Sequence, residues 1–411
     1  MSTVVEPSPG QPAALEAETL SDAVRARLRG LRGGELGSLP ILLGLLVIVI
    51  VFQSLNENFL SPSNFVNLMV QMAGLTTIAM GIVFVLLLGE IDLSVGYVSG
   101  VAGVSVALLL FQDGGELPGP VGIAIALVIG AAIGFLHGMI ITKVGVPSFV
   151  VTLAGLLAWN GVVLLLMAGK GTVIVQDELV IGIANSFLPE MLGWIVILGA
   201  VGLYGALQLL GLRARARAGL PTPPPVLLAL RVAALAAIAV VVVWFAYENR
   251  GIPYVAVLIV LLLVCLSYVA NRTRFGRHVY AIGGNQEAAQ RAGINVDRVK
   301  VSVFMIAGTM AALGGIIFAS RLRSVDTAAG GGDILLNSIA AAVIGGTSLF
   351  GGRGHVKSAL LGALIIASIA NGMGLLGLSA GAKFVVTGVV LLAAVTVDAV
   401  SRRGRASSGR A

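Results

Sequence analysis

The stretch of the sequence most able to do chemistry places two carboxylates between two long apolar runs. Glu90 and Asp92 lie in segment 89–96, which has the sequence GEIDLSVG. A carboxylate at membrane depth is costly unless it is paired, and it then marks an ion or substrate pathway. Asp92 and Ser94 are also suitable N-caps for a helix that begins near Val95. Two interpretations stay open: a structural cap or helix break, and a gate or pathway formed with Glu90, Asp92 and Ser94.

Three further polar residues, Asn160, Asn337 and Asn371, lie inside apolar runs. An amide surrounded by apolar groups requires hydrogen-bond partners, so interhelical hydrogen bonds are the first expectation for all three. The alternative is that these side chains line a hydrophilic passage.

Motifs of soluble catalysis and metal binding are missing from the sequence. It contains no GxxxxGK[ST] phosphate loop, no HExxH and no GxSxG. The three histidines, His137, His278 and His355, are far apart along the chain, and there is a single cysteine. We therefore expect no enzyme activity, no metal site and no cofactor. His137 stands near a predicted cytoplasmic helix end, where we expect its polar tip to reach water.

The elements that carry these residues are predicted to be membrane helices. Of the 411 residues, 57% are hydrophobic and 11% are charged, against roughly a quarter charged in soluble domains. In lipid, every backbone polar group must be paired internally, which leaves helices or closed barrels, and the apolar runs lack strand alternation. The sequence predicts an all-α, polytopic transmembrane helical bundle of about 10–12 membrane segments. Predicted segments are 41–55, 65–88, 95–111, 121–141, 149–167, 195–212, 226–246, 252–270, 301–319, 334–350, 358–376 and 384–400.

Segment 334–350 contains Asn337 and ends in a glycine-rich run, so two alternatives stay open for it: a full crossing, and a re-entrant or broken helix. Most of the 26 Lys and Arg residues fall on one side if the chain crosses at every predicted segment. The positive-inside rule makes that side cytoplasmic and places both termini there. The net charge of +7 is therefore a topology signal and not evidence for nucleic-acid binding.

The domain organisation follows from these segments. A polar N-terminal tail, 1–38, precedes a single transmembrane domain, 39–400, and a basic tail, 401–411, follows it; both tails are predicted to be cytoplasmic. The cytoplasmic loop 271–300 contains a predicted short helix, with Asn285 as its N-cap and Gly293 just past its C-terminus.

Four blocks, in order, resemble sugar permeases of ABC importers of the ribose/xylose/galactose type. They are GEIDLSVG at 89–96, GVPSFVVTL at 145–153, AIGGNQEAA at 281–289 with AGI at 292–294, and IGGTSLFGGRG at 344–354. The resemblance covers roughly residues 40–400. Compared with the shortest family members, the chain has an insertion at about 195–246, which adds a predicted helix pair. The longer members that it resembles include xylose and multiple-monosaccharide permeases, and xylose is favoured.

The resemblance implies a multi-pass permease of the cytoplasmic membrane that pairs with a second copy. A separate cytoplasmic ATPase would hydrolyse ATP, and an extracytoplasmic sugar-binding protein would deliver the sugar. The loop that couples to the ATPase would contain Gly283, Gly284, Asn285, Glu287, Ala288, Ala289, Gly293 and Ile294. The rival hypothesis is an ion-coupled secondary transporter in which Glu90 and Asp92 carry protons.

Overall fold

The computed structural model describes residues 39–110, 117–220, 222, 224–389, 392 and 396. The predicted tails, 1–38 and 401–411, lie outside the described residues, as do most positions of the predicted segment 384–400 beyond Val389. The predicted cytoplasmic location of both termini therefore stays a prediction.

Helices make up nearly all of the described chain, so the predicted all-α polytopic fold is confirmed. They are α1 (Leu39–Leu55), α2 (Pro62–Leu87), α3 (Val95–Leu109), α4 (Gly119–Met139), α5 (Ser148–Leu166), α6 (Glu178–Asn185), α7 (Glu190–Arg217), α8 (Pro225–Tyr247), α9 (Tyr254–Arg272), α10 (Arg274–Gly284), α11 (Gln286–Arg291), α12 (Val296–Leu322), α13 (Ile334–Ile344), α14 (Lys357–Leu375) and α15 (Ala380–Val389). A 3-10 turn covers Glu57–Leu60, and a π-helical turn, Ile140–Val144, extends α4. The only strands in the described residues are β1 (Val173–Ile174) and β2 (Ser324–Val325), which pair antiparallel with Val173 opposite Val325.

Eight of the described helices are long and apolar enough to cross a membrane: α2, α4 with its π-helical turn, α5, α7, α8, α9, α12 and α14. Four shorter apolar helices complete the set: α1, α3, α13 and α15. Most helices are apolar on all sides, which is typical of helices surrounded by lipid or other helices.

The core of the bundle forms where α12 packs against α2, α3 and α4. α4 and α12 approach closely because small residues face each other. A Cβ atom at Gly134 would clash with the carbonyl oxygen of Phe304, and one at Gly138 would lie 2.7 Å from the Cα of Val301. The glycines of α4 therefore serve helix packing, as small-xxx-small faces do in membranes.

The chain divides into two compact units. The described part of the smaller unit is 191–244, which holds most of α7 and α8, the helices of the region predicted as an insertion. Within it, Gly205 lies against Val232, whereas Gly199 and Gly202 meet no described atom within 4 Å. The larger unit contains all the residues discussed below.

α3 and α13 are short apolar helices of the larger unit, and each begins after an irregular segment. α3 has 15 residues, about 22 Å, and α13 has 11 residues, about 16 Å, both less than the roughly 30 Å of a bilayer core. The segment predicted at 334–350 is helical only as far as Ile344, and glycine-rich irregular chain follows, in keeping with the predicted alternative of a broken or re-entrant helix. The start of α3 is buried, since Ser94 is 0% exposed. Discontinuous helices of this kind form substrate sites in many transporters.

Candidate functional site

Glycines bring three backbone segments into direct contact at the end of α2. Leu87 is the last residue of α2, and its carbonyl oxygen accepts a hydrogen bond from the backbone N–H of Gly352 at 2.9 Å. A Cβ atom at Gly283, near the end of α10, would clash with the same carbonyl and would lie 2.6 Å from the Gly352 nitrogen. We call the contact of Gly89, Gly283, Gly284, Gly351 and Gly352 the glycine junction.

Positive φ angles also demand glycine here. Gly351 and Gly352 have φ values of 83° and 70°, a region that residues with a Cβ atom rarely enter. The junction therefore depends on glycine for two reasons, backbone conformation and the lack of space for a side chain.

The irregular segment 88–94 leaves the glycine junction and docks on α5 and α12. The backbone N–H of Ile91 donates to Ser148 Oγ at 3.3 Å, and Thr152 Oγ1 donates to the Ile91 carbonyl at 3.3 Å. Glu90 forms an ion pair with Lys300 of α12, and the two side chains are only 17% and 13% exposed. Ser148 and Thr152 belong to the block 145–153, so all four sequence blocks meet at this end of the bundle.

A buried hydrogen-bonded chain follows Glu90 along the same segment. Asp92 Oδ1 accepts from the Ser94 N–H at 2.9 Å and from Ser94 Oγ at 2.6 Å. Ser94 Oγ lies 3.4 Å from His137 Nδ1, and Trp159 Nε1 donates to His137 Nε2 at 3.2 Å. Because the indole N–H can only donate, Nε2 of a neutral His137 must accept, and its proton sits on Nδ1, facing Ser94. Hydrogen bonds thus connect Trp159, His137, Ser94 and Asp92 in that order.

These hydrogen bonds correct two expectations from the sequence. The tip of His137 does not reach water, because the residue is 4% exposed and both ring nitrogens face protein partners. Ser94 occupies the N-cap position of α3, but its side chain makes no capping bond, and Asp92 bonds to Ser94 instead. The two residues stabilise the irregular segment itself and do not cap the helix.

The short helix predicted between Asn285 and Gly293 is confirmed as α11. Asn285 Oδ1 accepts from the Ala288 N–H at 2.9 Å, and Gly293 has a φ of 82°. α10, the preceding helix, was missed. Five of the eight predicted coupling residues are exposed: Gly284, Asn285, Glu287, Ala288 and Gly293. Ala289 is buried, Ile294 and Gly283 are half-buried, and Gly283 belongs to the glycine junction. The loop therefore offers an exposed surface while its base contacts the junction.

The second polar region lies toward the other end of α2. Gln71 and Leu87 are 16 residues apart along α2, about 24 Å. Near Gln71, a cavity of about 400 Å³ is bounded by α2, α12, α13 and α14. We call it the amide cavity, after its polar lining: Asn64, Asn67, Gln71, Arg321, Asp333, Asn337 and Asn371.

Hydrogen bonds between amides connect the walls of the amide cavity. Asn64 and Asn371 exchange two hydrogen bonds, at 2.8 and 2.9 Å, which tie α2 to α14. Asn371 also donates to Gln71 Oε1 at 3.2 Å. Asn337 Nδ2 donates to Asp333 Oδ2 at 2.5 Å. Asn371 therefore makes the predicted interhelical bonds and also lines a polar space.

The structure separates the six residues singled out as pathway candidates. Glu90, Asp92 and Ser94 lie together beside the glycine junction, and Asn337 and Asn371 share the amide cavity. Asn160, half-buried on α5, belongs to neither group. Within the described residues, no group of three His, Cys, Asp or Glu side chains could hold a metal ion.

Sequence reasoning missed several residues of both regions, among them His137, Lys300, Arg321 and Asp333. For the amide cavity a signal existed. Asn64, Asn67 and Gln71 have the spacing i, i+3, i+7, which places them on one face of α2.

Comparison with known proteins identifies the class of the chain. Residues 64–395 match the family model described as branched-chain amino acid transport system / permease component. The xylose transport system permease protein of Escherichia coli K12 is 38% identical over 377 residues, which are 91% of this chain and 94% of that protein. The ribose import permease protein of Bacillus subtilis 168 is 34% identical over 369 residues, 89% of this chain and 94% of that protein. No solved structure matches the chain significantly.

The chain belongs to this permease family. The predicted resemblance to the ribose/xylose type of ABC-importer permease is confirmed by these relatives. With its long apolar helices, the protein is a multi-pass protein of the cytoplasmic membrane.

Proposed function

We propose that the chain is the transmembrane subunit of an ABC importer that carries a monosaccharide, with xylose favoured, into the cell. ATP hydrolysis takes place on a separate ATPase subunit. The substrate class is supported by the relatives, whose names specify xylose and ribose transport. The observation that carries the mechanism is the contact of Gly283, near the end of α10, with the carbonyl of Leu87, from which the irregular segment 88–94 continues.

In this proposal the cytoplasmic ATPase binds the exposed face of α11. Glu287 and Arg291 form an i,i+4 ion pair on that face, with both side chains more than 80% exposed. A polar, solvated helix of this kind gains little stability from its own ion pair, but it presents charge and hydrogen-bonding groups to a partner. Movement of α11 would reach Gly283 through the end of α10.

The glycine junction would pass this movement into the bundle. At Gly283, backbone meets backbone without an intervening side chain, so a displacement of α10 displaces Leu87 and Gly352 with it. Leu87 leads into segment 88–94, and Gly352 belongs to the loop that follows α13. The short helix α3 follows segment 88–94, and the short helix α13 precedes the loop that contains Gly352. Both helices would therefore respond to the ATPase together, as packed elements with discrete arrangements do.

The remaining partners follow from the same class of transporter. An extracytoplasmic sugar-binding protein would deliver the sugar, and a second copy of the chain would complete the permease as a homodimer. The rival, an ion-coupled secondary transporter, requires carboxylates that are free to exchange protons. Glu90 is paired with Lys300, and Asp92 accepts two bonds from Ser94, which disfavours that hypothesis.

Reconstitution tests the proposal. Proteoliposomes that contain the chain and its ATPase, with ATP inside and the sugar-binding protein outside, should accumulate radiolabelled xylose only when ATP is present. Accumulation by the chain alone under a proton or sodium gradient would contradict the proposal. Parallel assays with ribose and galactose decide which sugar is preferred.

A further inference from the structure

The amide cavity contains a polar atom that the fold does not use. Asn337 is 8% exposed, and its Oδ1 has no hydrogen-bond partner within the described residues. A buried acceptor without a partner is destabilising, because it has lost its hydrogen bonds to water and gained none in the protein. Asn337 lines the cavity, but its Oδ1 has almost no accessible surface, so a hydrogen-bond donor in the cavity reaches this acceptor once the side chain rotates toward it.

The donors and acceptors of the amide cavity are mixed and nearly balanced in charge. Arg321 is half-buried at the C-terminal end of α12 and forms no ion pair in the described part of the chain. The helix dipole favours an arginine at the C-terminal end of a helix, which explains the position of Arg321. It does not explain why carboxamide side chains surround this arginine. Asp333 supplies one negative charge, and the other polar groups of the lining are neutral amides.

This chemistry selects an uncharged ligand with several hydroxyl groups. Each carboxamide both donates and accepts hydrogen bonds, as each hydroxyl group of a polyol does. Phe318 and Leu75 add apolar surface to the same wall, suited to the C–H faces of a sugar ring. The cavity volume of about 400 Å³ lies within the range of about 300–1,000 Å³ that is typical of small-molecule sites.

We propose that the amide cavity is a monosaccharide-binding site within the permease itself. This proposal rests on the proposed function, because it assigns the substrate of that function a place in this chain. It also means that the sugar is recognised a second time after it leaves the binding protein. The exposed Asn67 amide provides one contact, and Asn337 rotates its side chain so that Oδ1 accepts from a sugar hydroxyl.

The direct test is saturation-transfer NMR on the purified full-length chain with D-xylose and no other protein. Wild-type chain should transfer saturation to the sugar protons, and unlabelled D-ribose should compete. Absence of any transfer would overturn the proposal.

Variants locate the binding. Asn337→Leu keeps the branching of the side chain but removes the unpartnered acceptor together with the donor to Asp333. Asn67→Leu changes an exposed cavity residue that has no hydrogen-bond partner among the described residues. Each should weaken binding about threefold to tenfold, the equivalent of one lost hydrogen bond. If Asn337→Leu does not fold, Asn67→Leu decides. Binding at wild-type strength in the folded variants would overturn the proposal.

Ser338→Ala is the matched control. Ser338 Oγ is also buried and without a partner in the described residues, but Ser338 does not line the cavity. This variant should bind xylose like the wild type. A loss of binding as large as that of the cavity variants would show that the effect comes from helix packing, and it would overturn the proposed site.

The reconstituted importer separates this proposal from the proposed function. If wild-type proteoliposomes show no ATP-dependent sugar uptake, the proposed function fails. If uptake occurs and its KM for the loaded binding protein and sugar is unchanged in both cavity variants, only the binding site fails.

Discussion

The glycine junction and the amide cavity lie toward opposite ends of α2, and they are built in opposite ways. At the junction, backbone packs on backbone, and a Cβ atom at Gly283 has no space. In the cavity, amide side chains surround an open volume, and one buried acceptor lacks a partner. Contacts without space transmit displacement, whereas open polar space accepts a ligand. We therefore propose mechanical coupling at one end and sugar recognition at the other.

The largest effect on this comparison is expected from Lys300→Met, which leaves the part-buried Glu90 without its partner. Removal of one member of a fully buried pair costs about 3–5 kcal/mol, which is the upper bound here, so the thermal unfolding temperature should fall and uptake should be lost. The control is Lys143→Met, because the pair of Lys143 and Asp297 is about half exposed and such surface pairs contribute at most about 1 kcal/mol. Equal stability of the two variants would show that the Glu90 pair does not hold segment 88–94.

Gly283→Ala should have the next largest effect. The added methyl group overlaps the Leu87 carbonyl, and overpacking costs about 1–3 kcal/mol. The neighbouring Gly284 has no described atom within 4 Å of its Cβ position, so Gly284→Ala is the matched control and should be near neutral. Thermal unfolding of both purified variants checks this. A junction that tolerates alanine equally at both positions is not closely packed.

Ser94→Ala tests the hydrogen-bonded chain that supports segment 88–94. It removes the hydroxyl between Asp92 and His137, and we expect about 1 kcal/mol of destabilisation with reduced uptake. Ser99→Ala provides the comparison, because Ser99 Oγ bonds only to the Gly96 carbonyl of its own helix. Loss of uptake in both variants would point to a general defect of α3.

Glu287→Gln should have the smallest effect on stability, since the side chain is 85% exposed. Its effect should instead fall on coupling, with less stimulation of the partner ATPase and less uptake at unchanged unfolding temperature. ATPase assays of the assembled importer measure this. Unchanged stimulation of the ATPase by the variant would show that Glu287 is not part of the interface with the ATPase.

The sequence predicted the fold class and most helices because apolar runs of about 20 residues have few alternatives in lipid. It predicted α11 from local signals, the Asn285 cap and Gly293. For α13, the glycine-rich run after Ile344 indicated a break, because glycine disfavours helix, but composition alone did not fix the residue at which the helix ends.

The sites were harder to predict because they depend on contacts between distant segments. Asn371 is 307 residues from Asn64 along the chain, and neither residue reveals its partner. His137 lies on α4 and meets Ser94 only after α3 and α4 have packed. Arg321 lies outside the predicted segment 301–319, although it belongs to the last turn of α12.

The most direct test of the division between the two ends compares Gly283→Ala with Asn67→Leu in the reconstituted importer. Two quantities are measured for each variant: sugar molecules imported per ATP hydrolysed, and the KM for uptake. We expect Gly283→Ala to lower the ratio at an unchanged KM, and Asn67→Leu to raise the KM at an unchanged ratio. If both variants change the same quantity, the two ends do not have separate roles.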